Sequence, residues 1–144
     1  MGKKRIIKKT EEAKKETEQK SPVAKVLKKK LDSAILHVQA SYNNTRVVLT
    51  DTEGGVVLWS SSGALGFKGA KKGTPYAAAQ VGELIGEKAK LMGVSNVDVV
   101  IKGVGAGRES SVMAFAGKGI SLNSIMDATP VPFGGPSPKK PRRV

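Results

Sequence analysis

The residues best placed for chemistry lie in two glycine-rich stretches. Residues 61–73 carry Gly63, Gly66, Gly69 and Gly73 interleaved with Phe67, Lys68, Lys71 and Lys72, and a second stretch reads Gly103-Val104-Gly105-Ala106-Gly107-Arg108. Glycine lets a backbone approach a ligand closely, exposed N–H groups at a helix start favour an anion, and arginine adds a bidentate phosphate fork. The second stretch falls short of a dinucleotide fingerprint: the sixth position of G-x-G-x-x-G is Arg108, and only Asp127 approximates the acid expected about 20 residues further on. A phosphate of RNA satisfies these features as well as a nucleotide does. A plain strand-to-helix turn also accounts for the glycines.

Catalytic chemistry is poorly supplied. With no cysteine there is no disulfide framework and no thiolate zinc site, which fits a reducing compartment. His37, the only histidine, has no metal partner near it and reads as a surface side chain on the polar face of a strand. Asp51, Glu53, Asp98 and Asp127 are the acids that could gather at sheet ends, as in two-metal nucleases. Glu53, however, falls in a turn beside glycines, and no acid occupies the middle of the first strand. The expectation is therefore no enzyme activity, no cofactor, no metal and no small-molecule substrate. Phe67 or Tyr76 could stack on a splayed base or plug the core. Trp59 reads as core or as an anchor for a protein contact.

Charge points to the partner. The chain of 144 residues carries 25 Lys and Arg against 12 Asp and Glu, a net +13. Residues 1–30 hold 12 basic and 4 acidic side chains, residues 31–132 hold 9 and 8, and residues 133–144 hold 4 and none. The chain divides accordingly into a basic N-terminal arm (1–30), a nearly neutral core (31–132) and a basic, proline-rich C-terminal tail (133–144). Basic segments poor in apolar residues bury too little surface to offset the entropy of ordering, so both are expected to be disordered alone and to order on a polyanion. The competing account, tails that only aid solubility, does not require a single sign of charge. An N-terminus without an apolar run, and with Glu11, Glu12, Glu16 and Glu18, argues against secretion and mitochondrial targeting. No stretch approaches the roughly 18 apolar residues of a membrane span. Nucleic acid leads membrane as the partner, and the cytoplasm is the expected location.

The elements that must hold the glycine-rich stretches follow from periodicity. Ala34 to Tyr42 alternates, with Leu36, Val38 and Ala40 on one face and Ile35, His37, Gln39 and Ser41 on the other, which predicts a strand. Asn43-Asn44, whose residue type tolerates positive φ, predicts a hairpin into a strand at Thr45 to Thr50, and a turn at Thr52 to Gly55 leads to a third at Val56 to Ser60. Thr74-Pro75 opens a helix as N-cap and first residue, and it runs to Met92. Val97, Val99 and Ile101 make a fourth strand, Glu109 to Ala116 a second helix, and Ile120 to Asp127 a last strand. Prolines 130, 132, 136, 138 and 141 forbid regular structure afterwards. The order βββαβαβ predicts a three-layer α/β domain on a mixed sheet.

With these segments in place, the chain resembles the universal small ribosomal subunit protein eleven family in its bacterial form. The resemblance is carried by Ala40-Ser41-Tyr42-Asn43-Asn44-Thr45, Gly66-Phe67-Lys68-Gly69, Thr74-Pro75-Tyr76-Ala77-Ala78, Lys102-Gly103, Gly107-Arg108-Glu109-Ser110, Asp127-Ala128-Thr129-Pro130 and the ending Lys139-Lys140-Pro141-Arg142-Arg143-Val144. They fall in order over about residues 33–144. The resemblance implies a ribonuclease H-like fold without nuclease activity, placed on the platform of the small subunit against its ribosomal RNA. It also implies neighbouring platform proteins and proximity to the messenger exit region. The expected RNA contacts are Asn43, Asn44, Arg46, Lys68, Lys71, Lys72, Thr74, Lys102, Gly103, Gly105, Arg108, Lys118, Lys139, Lys140, Arg142 and Arg143. The sequence departs from the family at Val104 and Ala106, where prolines are frequent, and at Gly134-Gly135, where an Asn-Gly pair prone to isoaspartate formation is known. A metal-dependent nuclease on the same fold and a non-ribosomal DNA-binding protein are the rival readings of the residues alone.

Overall fold

A computed structural model describes residues 31–143; the basic arm of residues 1–30 lies outside the described residues. Five strands and two helices follow in the order β1 (Ser33–Ala40), β2 (Thr45–Thr50), β3 (Val56–Ser61), α1 (Pro75–Leu91), β4 (Asn96–Lys102), α2 (Gly107–Ala116) and β5 (Ser121–Asp127). This is the expected α/β mixed sheet with βββαβαβ order. The strands lie side by side as β3-β2-β1-β4-β5. The meander pairs antiparallel, whereas β4 adds parallel to β1, and β5 parallel to β4.

That topology decides where the helices go. The crossover through α1 and the crossover through α2 both move the chain the same way across the sheet. Right-handed connections that advance in one direction place their helices on one face. The strand side chains facing them are Leu36, Val38, Val47, Leu49, Val97 and Val99, all fully buried, and they meet Val81, Ile85, Ala89 and Phe115 in a single core. The helices also press on each other. A Cβ on Gly82 would overlap the Ser111 carbonyl, and one on Gly86 would crowd Lys118 and the Phe115 carbonyl, so only glycine permits this separation. The opposite face of the sheet is left uncovered among the described residues, so the domain has two layers there instead of the three expected from sequence, because both crossovers advance the same way.

Several boundaries move for local reasons. β1 ends at Ala40, not Tyr42, because the Ser41 N–H donates to the Asn44 carbonyl at 2.9 Å and closes a four-residue connection. That connection is long enough to need no left-handed residue: no non-glycine residue among those described has positive φ, and the expected use of Asn43-Asn44 in that conformation is not made. Within the lysine-rich loop, residues 69–73 form a short 3₁₀ turn that no periodicity signalled. Trp59 is not core; it stands 63% exposed on the uncovered face. His37 is on that face as expected, half-buried, with Nε2 3.2 Å from the Thr50 hydroxyl.

Candidate nucleic-acid interface

β1, β3, β4 and β5 run in one direction, so their C-terminal ends lie along one edge of the domain. The hairpin turn Ser41–Asn44, the loop of residues 62–74, the turn Gly103–Ala106 and the root of the tail at Ala128 all leave from that edge. Both helices begin there too, and their unpaired N–H groups and dipoles favour anions. Thr74 caps α1 as read from sequence: its hydroxyl oxygen accepts from the Ala77 N–H at 3.3 Å and donates to the Lys71 carbonyl at 2.7 Å. Opening α1 and closing the lysine loop are thus one residue's work.

Ser62 joins the hairpin turn to the lysine loop. Its Oγ lies 2.5 Å from the Asn44 side-chain amide and 2.7 Å from the Lys72 carbonyl, and it accepts from the Thr45 N–H at 3.2 Å. One hydroxyl proton serves one acceptor. The Asn44 Oδ1 and the Lys72 carbonyl therefore share it, one at a time. Asn44 is therefore committed within the protein, while Asn43 is exposed.

Gly103 adopts φ +102°, and a Cβ there would overlap the Ala40 carbonyl oxygen; one on Gly105 would overlap that of Ser41. The Gly105 N–H donates to the Ala40 carbonyl at 3.0 Å. The close approach that these glycines permit is thus to the end of β1. Arg108 is engaged in the same way. Its Nη1 donates to the Gly103 carbonyl at 2.5 Å, and its Nη2 pairs with Asp127. Asp127 also accepts from the Thr129 hydroxyl at 2.5 Å and the Thr129 N–H at 2.9 Å, while the Thr129 hydroxyl oxygen accepts from the Gly103 N–H at 3.2 Å. The Thr129 hydroxyl, then the Arg108 guanidinium, hold the Asp127 carboxyl down at about 2. Arg108 accordingly acts as a clamp between the turn and the tail's root, and the fork read from sequence is turned inward.

The near-neutral total of the core conceals a polarity. Lys68, Lys71, Lys72, Arg46 and Lys102 occupy or adjoin the turn edge, and the tail adds Lys139, Lys140, Arg142 and Arg143, all exposed except the half-buried Lys72. The acids Asp32, Asp51 and Glu53 fall at the opposite ends of the strands. The four acids weighed for metal chemistry are accordingly spread over both ends. Among the described residues no group of three or more His, Asp or Glu side chains could hold a metal ion.

The model of a family described as Ribosomal protein S11 matches residues 34–143. The chain belongs to the ribosomal protein S11 family. It is 50% identical over 122 residues to the small ribosomal subunit protein uS11 of Variovorax paradoxus, a match spanning 85% of this chain and 91% of that one. The uS11 of Leptothrix cholodnii is 48% identical over the same shares. Membership makes this chain a structural, non-catalytic, RNA-binding protein of translation, located in the ribosome of the cytoplasm.

On this S11-family fold the sequence-predicted residues divide. Asn43, Asn44, Lys68, Lys71, Lys72, Thr74, Gly103, Gly105 and Arg108 come together at the turn edge, and Arg46 and Lys102 stand beside them on the uncovered face. Lys118 does not join them. It follows the far end of α2, where its Nζ pairs with Glu87 at 3.1 Å. Residues that sequence reasoning passed over are Ser41, Ser62 and Thr129, hydroxyls flanking the turns, and Gln39, exposed between Arg46 and Lys102. The only available signal was the excess of Ser and Thr at strand ends.

Proposed function

We propose that this protein is a structural constituent of the small ribosomal subunit that seats its turn edge on small-subunit ribosomal RNA of the platform and helps shape the messenger exit region. Residues 1–30 and 133–144 act as basic arms on either side of a core of residues 31–132. Asn43, Lys68, Lys71, Lys72 and the tail cations Lys139, Lys140, Arg142 and Arg143 meet phosphates. Asn44, Thr74, Gly103, Gly105 and Arg108 present backbone groups and hold the shape of the edge. Arg46 and Lys102 extend the contact onto the sheet. Neighbouring platform proteins complete the surroundings, and no membrane or small-molecule substrate takes part.

The observation that carries this reading is the gathering of Lys68, Lys71, Lys72, Arg46, Lys102 and both helix starts at one edge, where Asp127 is already paired with Arg108, while Asp32, Asp51 and Glu53 lie at the other. Phosphate contacts of this kind position RNA without reading its sequence. Each neutralised phosphate releases condensed counterions, so affinity for small-subunit ribosomal RNA falls steeply and log-linearly with salt. Filter binding across a salt series checks this. A flat salt response, or equal preference for duplex DNA in competition, contradicts it. On a sucrose gradient of cell lysate the protein travels with small subunits and leaves them only at high salt.

A further inference from the structure

Outside its two cations, the uncovered face of the sheet has no part in the reading above. The strand register sets its side chains in rows. Trp59, Val48, His37, Val100 and Met126 lie side by side across all five strands. The next row toward the turn edge is Ser61, Arg46, Gln39 and Lys102. Neither row contains an acid, and the acid in the row beyond, Asp98, accepts from the Ser124 hydroxyl at 2.6 Å. Two shallow depressions occupy the face. One of about 220 Å³ lies among His37, Gln39, Arg46, Val48, Val100 and Lys102, and a neighbour of about 290 Å³ shares Gln39 and Arg46 with it and reaches Ser41 and Asn44.

These features fit an unpaired nucleic-acid strand. Arg46 and Lys102 are two strands apart, roughly 10 Å, with Gln39 between them as a hydrogen-bonding group. Trp59 is the diagonal neighbour of Arg46 on the adjoining strand, a separation of about 7–8 Å. An exposed indole next to a guanidinium offers a stacking surface and a phosphate contact within one nucleotide's reach. Burial, and then Lys102, lower the His37 pKa, which favours the neutral imidazole in the free protein. Duplex RNA keeps its bases inside and has none to lay on Trp59, whereas unpaired bases splay and stack. The cationic row is also continuous with the turn edge.

We propose that the uncovered sheet face receives an unpaired stretch of ribosomal RNA, with one base stacked on Trp59 and flanking phosphates held by Arg46 and Lys102. This rests on the ribosomal-RNA reading and extends it from phosphates to bases. Trp59 is the only tryptophan, so its fluorescence reports on this face alone.

The full chain is titrated with small-subunit ribosomal RNA, following filter retention and indole emission together. The expected result is quenching of Trp59, and protection from iodide, in step with retention. Trp59→Ala lowers affinity about tenfold, and Trp59→Phe, which keeps an aromatic face, recovers most of it. Circular dichroism of both variants shows an unchanged fold. Retention with an indole still open to iodide overturns the inference and leaves the ribosomal-RNA reading standing. No retention at all removes both. Protection seen only in assembled small subunits, and not with RNA alone, assigns the face to a neighbouring protein and overturns the inference as well.

Discussion

The two faces of the sheet are built from alternate residues of the same strands, yet they obey different rules. On the helix-covered face Leu36, Val38, Val47, Leu49, Val97 and Val99 are fully buried, and the helices above them touch through glycines. On the other face, β1 to β4 set Trp59, His37, Gln39, Arg46 and Lys102 among aliphatic side chains, most of them exposed or half-buried. The covered face answers to packing alone. Because it supplies the stability, the other face and the turn edge are free to hold groups chosen for a partner.

Substitutions on each side should therefore separate stability from binding, and the largest effect belongs to the covered side. Phe115→Ala removes the largest fully buried side chain and should destabilise the fold by about 3–5 kcal/mol in chemical denaturation. On the opposite face the milder change Trp59→Phe should shift stability by less than about 0.5 kcal/mol. A Phe115 variant as stable as the native chain would dissolve the distinction.

The turn edge lies between these extremes. Gly103→Ala meets both a positive φ and the Ala40 carbonyl, and roughly 1–3 kcal/mol of destabilisation is expected. Deleting residues 133–144 should leave the melting temperature unchanged while reducing the salt slope of RNA binding by about 3, given four lost cations. Loss of melting temperature on that deletion would mean that the tail belongs to the folded core.

Smaller effects depend on pH. Asp127 ionises more easily in the folded chain than in the unfolded one, so its contribution is present above about pH 4 and is lost as pH falls toward its folded value of about 2. Asp127→Asn should consequently be less stable than the native chain at pH 6, with the difference closing over that acid range. His37 has the opposite relation: its pKa is lowered on folding, so protonation favours the unfolded chain. Stability should slip slightly as pH falls below about 6.5, and His37→Gln should abolish that slope in thermal melts followed across pH 5–8.

The covered face was legible in the sequence because its signals are local. Alternation in β1, the β-branched run of β2 and the Thr74-Pro75 start of α1 each declare themselves within a few residues. The candidate site was legible as a set of loops, and nine of the sixteen residues expected from sequence do meet at the turn edge. Their individual roles were not legible. Arg108 finds Asp127 nineteen residues away, and the glycines of the Gly103 turn find the end of β1, so contacts distant in sequence turned apparent ligand groups into internal ones. Trp59 was equally ambiguous, since an aromatic residue in a strand looks alike on either face until the strand's neighbours are known. The position of Lys118 was hidden for a similar reason, as nothing nearby reveals that α2 carries it to the far end.

The ties among Gly103, Arg108, Asp127 and Thr129 give the tail a fixed pivot. From Thr129 to Lys139 the chain spans ten residues, so its first cation sweeps a hemisphere of radius at most about 35 Å. Whatever Lys139 grips must lie inside that radius, and loosening the pivot would widen the search and lower the local concentration of positive charge at its target.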